Sequence, residues 1–391
     1  MDKLNVAFVI PAYNEEKNLP GILEDLKAQQ EGSCRVVAIV VVDDVSTDNT
    51  PQVVKDFQEK MSNLRYIRNE TSTLRAGAMN RGIFSLNQAD VDLVIAIDAD
   101  CRAASDLADQ AAQAFLRDDE TLGGVCSRFG VLSLETLMPN LKKRSWHADA
   151  MAWILWRLQK LEGAGFDASR TATHENVLIL HGLCSAYRLK ALQEVGGFPE
   201  GHLIEDYATT MKLKRRGYTA KFCPSMRAWT DVPLTIKSLL RQRERWGLGG
   251  LQVLQEFGID RNTLEDAINH VAFIGLFLVI FCSLVLNIAK TGTIAGGWNG
   301  ASDPMMLLSI AVALVGYTYS VYQLTFLEKR DWVDYVVKLA LIPELAYAML
   351  MSGLQVVIYV KFLGGSKGTW YTKDGTKKEI TQEYKQEFVQ L

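Results

Sequence analysis

The chain runs Leu93-Val94-Ile95-Ala96-Ile97-Asp98-Ala99-Asp100, five apolar residues followed by two acids. A run apolar at every position predicts a strand buried on both faces, as in a parallel sheet. The acids that end it are two apart, so both side chains leave the strand on one side. Upstream, Val6 to Ile10, Val36 to Val42 and Leu64 to Ile67 repeat the short apolar run. Between these runs, Glu16 to Gln29, Thr50 to Met61 and Arg75 to Ser85 read as helices. Strand–helix alternation predicts right-handed crossovers and an α/β, mostly parallel, doubly wound sheet. Such sheets bind ligands beyond the carboxyl ends of their strands. That rule singles out Pro11-Ala12-Tyr13-Asn14-Glu15, Asp43-Asp44 and Asp98-Ala99-Asp100.

Downstream, Ala104 to Leu116 reads as a helix and Leu122 to Leu132 as an extended segment. A long helix carrying Trp146, Trp153 and Trp156 follows, with those rings expected in core or membrane-interface packing. Val177 to Leu180 is read as a further strand, and Tyr207 to Arg216 as a helix opened by Glu205-Asp206. Leu234 to Phe257 is amphipathic, carries Arg241, Arg243 and Arg245, and is suited to a membrane surface.

Charges are frequent up to about Asn269 and sparse afterwards. Val271 to Ala289 and Pro304 to Leu327 are long enough to span a bilayer. Leu339 to Val360 contains Pro343 and Glu344 and is expected to be re-entrant or interfacial. A third crossing would place Lys361, Lys367, Lys373, Lys377 and Lys378 outside, against the positive-inside tendency. The expected plan is therefore a cytosolic domain (1–232), an interfacial region (233–267), a membrane region (268–363) and a cytosolic tail (364–391). No basic and apolar leader opens the chain, which leads us to expect a cytosolic N-terminal domain. A net charge of -3 gives no general attraction to nucleic acid. The six cysteines are scattered without a CxxC pair, so buried thiols are expected rather than zinc sites or disulfides.

Asp98 and Asp100 repel each other unless a cation joins them; hard oxygen ligands beside a diphosphate suit Mg²⁺ or Mn²⁺. Asp43 and Asp44 offer acceptors for a base or ribose, while Asp48 can cap the helix near Pro51. Glu205 and Asp206 could merely complement a helix dipole, but a carboxylate there can also act as general base, and Asp206 is the choice. Gln242, Arg245 and Trp246 share one helix face. Arginine pairs with a leaving diphosphate and an indole stacks on a sugar ring, whereas a basic juxtamembrane helix with a Trp anchor is the blander reading.

Together and in this order, these motifs resemble the processive branch of the family 2 glycosyltransferases, which includes cellulose, hyaluronan and poly-N-acetylglucosamine synthases. The resemblance runs from about Val6 to Trp370. It implies a Rossmann-like GT-A domain, an α-helical membrane region, and inverting transfer from a nucleotide sugar, usually a UDP-sugar, to a polysaccharide. It implies donor contacts from Ala12, Tyr13, Glu15, Asp43, Asp44, Arg75, Gly77, Asp98, Gln242 and Arg245. By the same likeness Asp98 and Asp100 hold the metal, and Asp206 is the base with Glu205 beside it. His181, Gly182 and Trp246 face the acceptor, and Gly368-Thr369-Trp370 resembles a cytosolic tail motif that approaches the active site.

Four departures stand out. Arg75 replaces the family's Lys, and Ile204 replaces a Thr before Glu205-Asp206. Val45 stands where glycine takes positive φ, which predicts a different local backbone. Membrane helices ahead of the catalytic domain are absent from this chain, so a homo-oligomer or helper membrane subunit is expected if a product is to be secreted. The competing enzyme reading is a single transfer to a membrane lipid. A Rossmann dehydrogenase is disfavoured because Pro11 occupies the turn where GxGxxG would lie.

Overall fold

The computed structural model describes residues 3–138, 145–291, 304–340, 342–371 and 377–378. The chain opens with β1 (Leu4–Ala12), α1 (Leu19–Lys27), β2 (Cys34–Asp43), α2 (Thr50–Gln58), β3 (Leu64–Arg68), α3 (Leu74–Phe84) and β4 (Leu93–Ile97). Strands β3-β2-β1-β4 lie side by side and parallel. The long apolar runs of β1, β2 and β4 follow from burial of both faces. Val6, Phe8 and Ile10 pack into a core beneath α1 and α2, whereas Ala7 and Val9 pack with Met79 and Ile83 of α3.

Next come β5 (Arg102–Ala103), α4 (Leu107–Leu116), β6 (Leu122–Val131), α5 (Leu134–Leu137), α6 (Trp146–Ala172), β7 (Cys184–Arg188), α7 (Leu189–Glu194), α8 (Glu205–Arg215) and β8 (Thr219–Thr230). The eight-stranded order is β3-β2-β1-β4-β7-β6-β8-β5. Here the mostly parallel expectation is corrected. β7 runs antiparallel to both β4 and β6, and β5 antiparallel to β8, so the sheet is mixed beyond β4. The reversal brings the start of β7 to the rim where β4 ends, pairing Cys184 with Ile97.

The strand expected at Val177 to Leu180 is also corrected, because that segment is irregular. The Val177 amide donates to the Ala220 carbonyl and the Leu180 amide to Thr210 Oγ1. A short apolar run signals burial, and burial here is met without a ladder.

The remaining elements are α9 (Ile236–Phe257), α10 (Leu264–Thr291), α11 (Pro304–Gln323), a 3₁₀ turn (Leu324–Phe326), α12 (Trp332–Ala340), α13 (Ile342–Leu363), and the short pair β9 (Trp370–Tyr371) and β10 (Lys377–Lys378). Both residues that weakened the third apolar segment as a span, Pro343 and Glu344, fall in the first turn of a continuous 22-residue helix. Proline's missing N–H costs nothing there. Among the described residues α13 is the helix long and apolar enough to cross a membrane, by length and composition. Lys373 of the expected tail lies outside the described residues.

Val45 adopts φ 65°. The backbone therefore keeps the left-handed turn that glycine would take, and the expectation of a different turn is corrected. A β-branched residue is strained in that region. Val45→Gly should raise stability by about 1 kcal/mol, read as a higher midpoint in thermal or denaturant unfolding; a lower midpoint would show that Val45 packing outweighs the strain.

Candidate active site

The segments that follow β1 and β2 are tied together by their own polar groups. The Asp44 amide donates to the Ala12 carbonyl at 2.8 Å. Asn14, at φ 56°, receives the Thr47 amide on Oδ1 and donates its own amide to Ser46 Oγ. The Glu15 amide donates to Thr50 Oγ1, and Tyr13 beside it is half-buried. Asp48 Oδ1 accepts from the Thr50 amide at 2.9 Å, holding the first turn of α2.

Asp43 is fully buried and accepts from the Ser46 amide, Tyr66 OH and Arg68 Nη1 at 2.6–2.7 Å. Asp44 accepts from Asn69 Nδ2, Ser72 Oγ and the amides of Thr73 and Leu74. Both acids thus shape the rim through the protein's own donors. Tyr66 and Arg68 were not foreseen from sequence, although Arg68 ends β3 and the strand-end rule reaches it.

Asp44 fixes the loop that presents Arg75, and Leu74 within it is left-handed at φ 59°. Arg75 then spreads three donors. Nε reaches Asp98 Oδ1 at 2.7 Å, Nη1 reaches Glu205 Oε1 at 2.5 Å, and Nη2 reaches the Gly182 carbonyl at 2.6 Å. One side chain thus joins segments 23, 130 and 107 residues away. The planar fork makes this possible; a lysine ammonium would offer one point charge instead.

Asp206 receives the Gly182 amide on Oδ2 at 2.7 Å and the Tyr207 amide on Oδ1 at 2.8 Å. A Cβ on Gly182 would stand 3.1 Å from Arg75 Nη2 and 3.3 Å from Asp206 Oδ2, so glycine permits the close approach. Gly77 serves α3 similarly, since a Cβ there would collide with the Thr73 side chain. Burial, then the neighbouring Glu205, pushes the Asp206 carboxyl above its usual range, with Arg75 opposing. Burial likewise pushes Asp98 up to about 7, against Arg75 and reinforced by Asp100.

Arg245 Nη1 donates to the Leu203 carbonyl at 2.8 Å, and its charge acts on Glu205, Asp206 and Asp98. Gln242 Oε1 receives Arg243 Nη1. Trp246 packs against the cluster that holds Ile204, Tyr207 and Met211, with the Arg243 guanidinium 4.2 Å from its ring centroid. The tail reaches the same place. Gln252 Nε2 donates to the Lys367 carbonyl, and Gly368 lies against Leu203. The ring of His181 sits in the interior instead of on the acceptor side. Nε2 meets the Ser127 carbonyl at 2.7 Å and the ring edge packs on Phe129. Burial holds its pKa well below 6.5, so the imidazole is neutral.

Asp98 and Asp100 fit a divalent cation. Among the described residues no cluster of three His, Cys, Asp or Glu side chains is suited to a metal. Mg²⁺-type sites at diphosphates, however, need only one or two protein carboxylates. The upward push of Asp100 on Asp98 is the electrostatic demand such a cation would meet.

Residues 7–196 match the family described as "Glycosyl transferase family 2". The chain carries a family 2 glycosyltransferase domain. Over 382 residues it is 22% identical to a poly-beta-1,6-N-acetyl-D-glucosamine synthase of Staphylococcus epidermidis, covering 94% of this chain and 87% of that protein. It is 26% identical over 249 residues to the Staphylococcus aureus protein of the same name, covering 64% of this chain and 55% of that protein. A mannosyltransferase from Pyrobaculum calidifontis, solved with GDP-Man and Mn²⁺, is similar in structure at a TM-score of 0.54 and 19% identity, over 92% of this chain and 87% of that one. That likeness shows the fold, a GT-A-like glycosyltransferase domain. The match of residues 7–196 to that family makes the chain a glycosyltransferase.

Arg75→Met would leave buried Glu205 and its neighbours without their cation, and should cost about 3–5 kcal/mol in an unfolding experiment. Arg75→Lys should recover part of that stability but not donor affinity, measured by calorimetric titration with nucleotide. Equal behaviour of the Lys variant and the native chain would deny the fork its role.

Proposed function

We propose that this chain is an inverting, membrane-bound transferase that moves a sugar from a UDP-linked donor onto a growing polysaccharide. The observation that carries the proposal is convergence at Arg75, which gathers Asp98, Glu205 and Gly182, with Asp206 bonded to Gly182 and Arg245 alongside. The names of the two staphylococcal relatives favour polymer synthesis over single transfer to a lipid, and make UDP-N-acetylglucosamine the first donor to test.

Asp206 is the base in this reading. Glu205 is committed to Arg75, whose Nη1 donates to it. Asp206 is held by two backbone amides and made more basic by burial. It takes the proton of an acceptor hydroxyl, whose oxygen attacks the anomeric carbon as the bond to the diphosphate breaks, inverting configuration. Arg245 offsets the charge that grows on the departing diphosphate. Asp98 and Asp100 would hold Mg²⁺ or Mn²⁺, which when bound neutralises the diphosphate. Ala12, Tyr13, Glu15, Asp43, Asp44, Gly77 and Gln242 are assigned to the donor side, and Gly182 and Trp246 to the acceptor side.

The bilayer assignment is supported by exposed apolar side chains along the last helices, including Val271, Leu276, Leu314, Val315, Met349 and Val360. Water would penalise such a surface, and hydrocarbon would not. The catalytic domain would face the cytosol, with a second copy or a helper subunit completing any secretion path.

Purified chain with labelled UDP-N-acetylglucosamine and Mg²⁺ or Mn²⁺ should yield a ladder of long products. A single labelled lipid would select the single-transfer reading instead, and chelation should stop either. Asp206→Asn should abolish transfer while donor binding persists. The base must be ionised, so activity should rise with pH, and its midpoint should sit above the ordinary carboxylate range because the Asp206 pKa is raised. A pH–rate profile still flat down to pH 4 would remove Asp206 from the mechanism.

A further inference from the structure

α8 turns two faces to different parts of the molecule. Asp206 faces the rim, where its carboxylate receives the amides of Gly182 and Tyr207. Tyr207, about 100° further round the helix, enters an apolar cluster with Ile204, Met211 and Val253 of α9. The Tyr207 residue is 1% exposed, and a phenol so buried needs a hydrogen-bond partner. Its hydroxyl donates to Asp266 Oδ2 of α10 at 3.0 Å, across 59 residues of chain. Burial and then the Asp266 carboxylate push the phenol above its ordinary range, so it keeps its proton and is the donor. The line continues beyond Asp266. His270, one turn further along α10, brings Nε2 to 3.6 Å from Asp266 Oδ1. Its Nδ1 lies 2.7 Å from Tyr359 OH of α13, and the two rings meet edge to face. Tyr359 in turn packs against the cluster of Leu203, Leu248 and Ile358.

We propose that Asp266 is a positioning residue for sugar transfer, acting on Asp206 through the Tyr207 hydroxyl and braced by His270 and Tyr359. The inference rests on the reading of Asp206 as the base. A base must stand within hydrogen-bond reach of the hydroxyl it deprotonates, and a small displacement is costly in rate. The Tyr207 amide is one of the groups that hold Asp206. Anchoring the Tyr207 ring at its far end fixes the rotation of α8 about its axis, and with it both that amide and the carboxylate. Local structure does not supply this anchor, because Ile204 offers the first turn of α8 no side-chain cap. The tertiary bond to α10 takes the place of the missing local one. Burial raises the Asp266 carboxyl, and His270 and then Tyr207 oppose that rise, so the two neighbours favour the ionised, accepting form. In this arrangement the base is correctly aimed only while α10 and α13 are docked on the catalytic domain.

The test compares the full chain in nanodiscs with Tyr207→Phe, Asp266→Ala, Asp266→Asn and the double variant Tyr207→Phe/Asp266→Ala. Turnover of labelled UDP-N-acetylglucosamine is divided by the nucleotide sites counted in calorimetric titration with UDP, so misfolded chains do not enter the rate. Tyr207→Phe, which removes a single hydroxyl, and Asp266→Ala should each lower kcat by about tenfold or more, while donor KM and UDP affinity hold. The double variant should lose no more than the larger single loss, because both changes break one bond. Asp266→Asn, whose amide oxygen still accepts from the phenol, should keep most of the native rate. Native kcat in Tyr207→Phe, or losses that multiply in the double variant, would overturn the inference and leave Asp206 as the base. Asp266→Asn as slow as Asp266→Ala would overturn it too, since charge and not reach would then matter. UDP affinity falling in step with kcat would replace positioning by a general structural role. A silent native chain, or an active Asp206→Asn, would instead bring down the reading of the base and this inference with it.

Discussion

Placing several carboxylates at one rim is electrostatically costly, and the Arg75 guanidinium is what makes it tolerable. Asp98 and Glu205 each meet one edge of the fork while its third donor holds the Gly182 carbonyl. Buried acids without a counter-charge would protonate or separate. Three donors fixed in one plane also set distances, so Arg75 determines where the end of β4, the start of β7 and the start of α8 stand relative to one another. A cation bound by Asp98 would have to share that carboxylate with Arg75, which makes the arginine a competitor for the metal as well as a scaffold.

The mixed sheet has a chemical consequence. Parallel strands deliver only their carboxyl ends to this rim, and so supply side chains at Asp43, Asp44 and Asp98. The antiparallel β7 delivers its beginning, and with it both polar groups of Gly182. The carbonyl serves Arg75 and the amide serves Asp206. A single peptide segment therefore registers Asp206 against the other acids. A wholly parallel sheet would have left that position to the far end of a strand.

The parallel half was legible because β1, β2 and β4 each carry a long apolar run, which two-sided burial rewards. The strand-end rule found the acids for the same reason. It did not find β7, whose Cys184-Ser185-Ala186-Tyr187-Arg188 has no long apolar run and follows a more hydrophobic segment that is irregular. Val45 misled because propensity was set against a turn already specified by Asp43, whose carboxylate receives the Ser46 amide. The tertiary bond decides the φ, and the valine complies. His181 was drawn to the acceptor by its neighbours in sequence, whereas its ring occupies the interior. Pro343 and Glu344 read as interruptions of an apolar segment, yet they are the beginning of a helix.

The two halves of the molecule obey opposite burial patterns. In the catalytic domain Phe8, Ile39 and Ile95 are inside and charges line the rim. Around α12 the charges Arg157, Asp334 and Lys338 are inside and the large apolar side chains are outside. One solvent cannot favour both arrangements, because water rewards the first and penalises the second. The contrast supports a chain that meets water over its sheet and hydrocarbon over its last helices, with α6 reaching from one to the other. Such placement would confine the Arg75 rim to within a helix length of the bilayer, and would explain why the tail at Gly368 returns from α13 to pack on Leu203, one residue from Ile204 and two from Glu205.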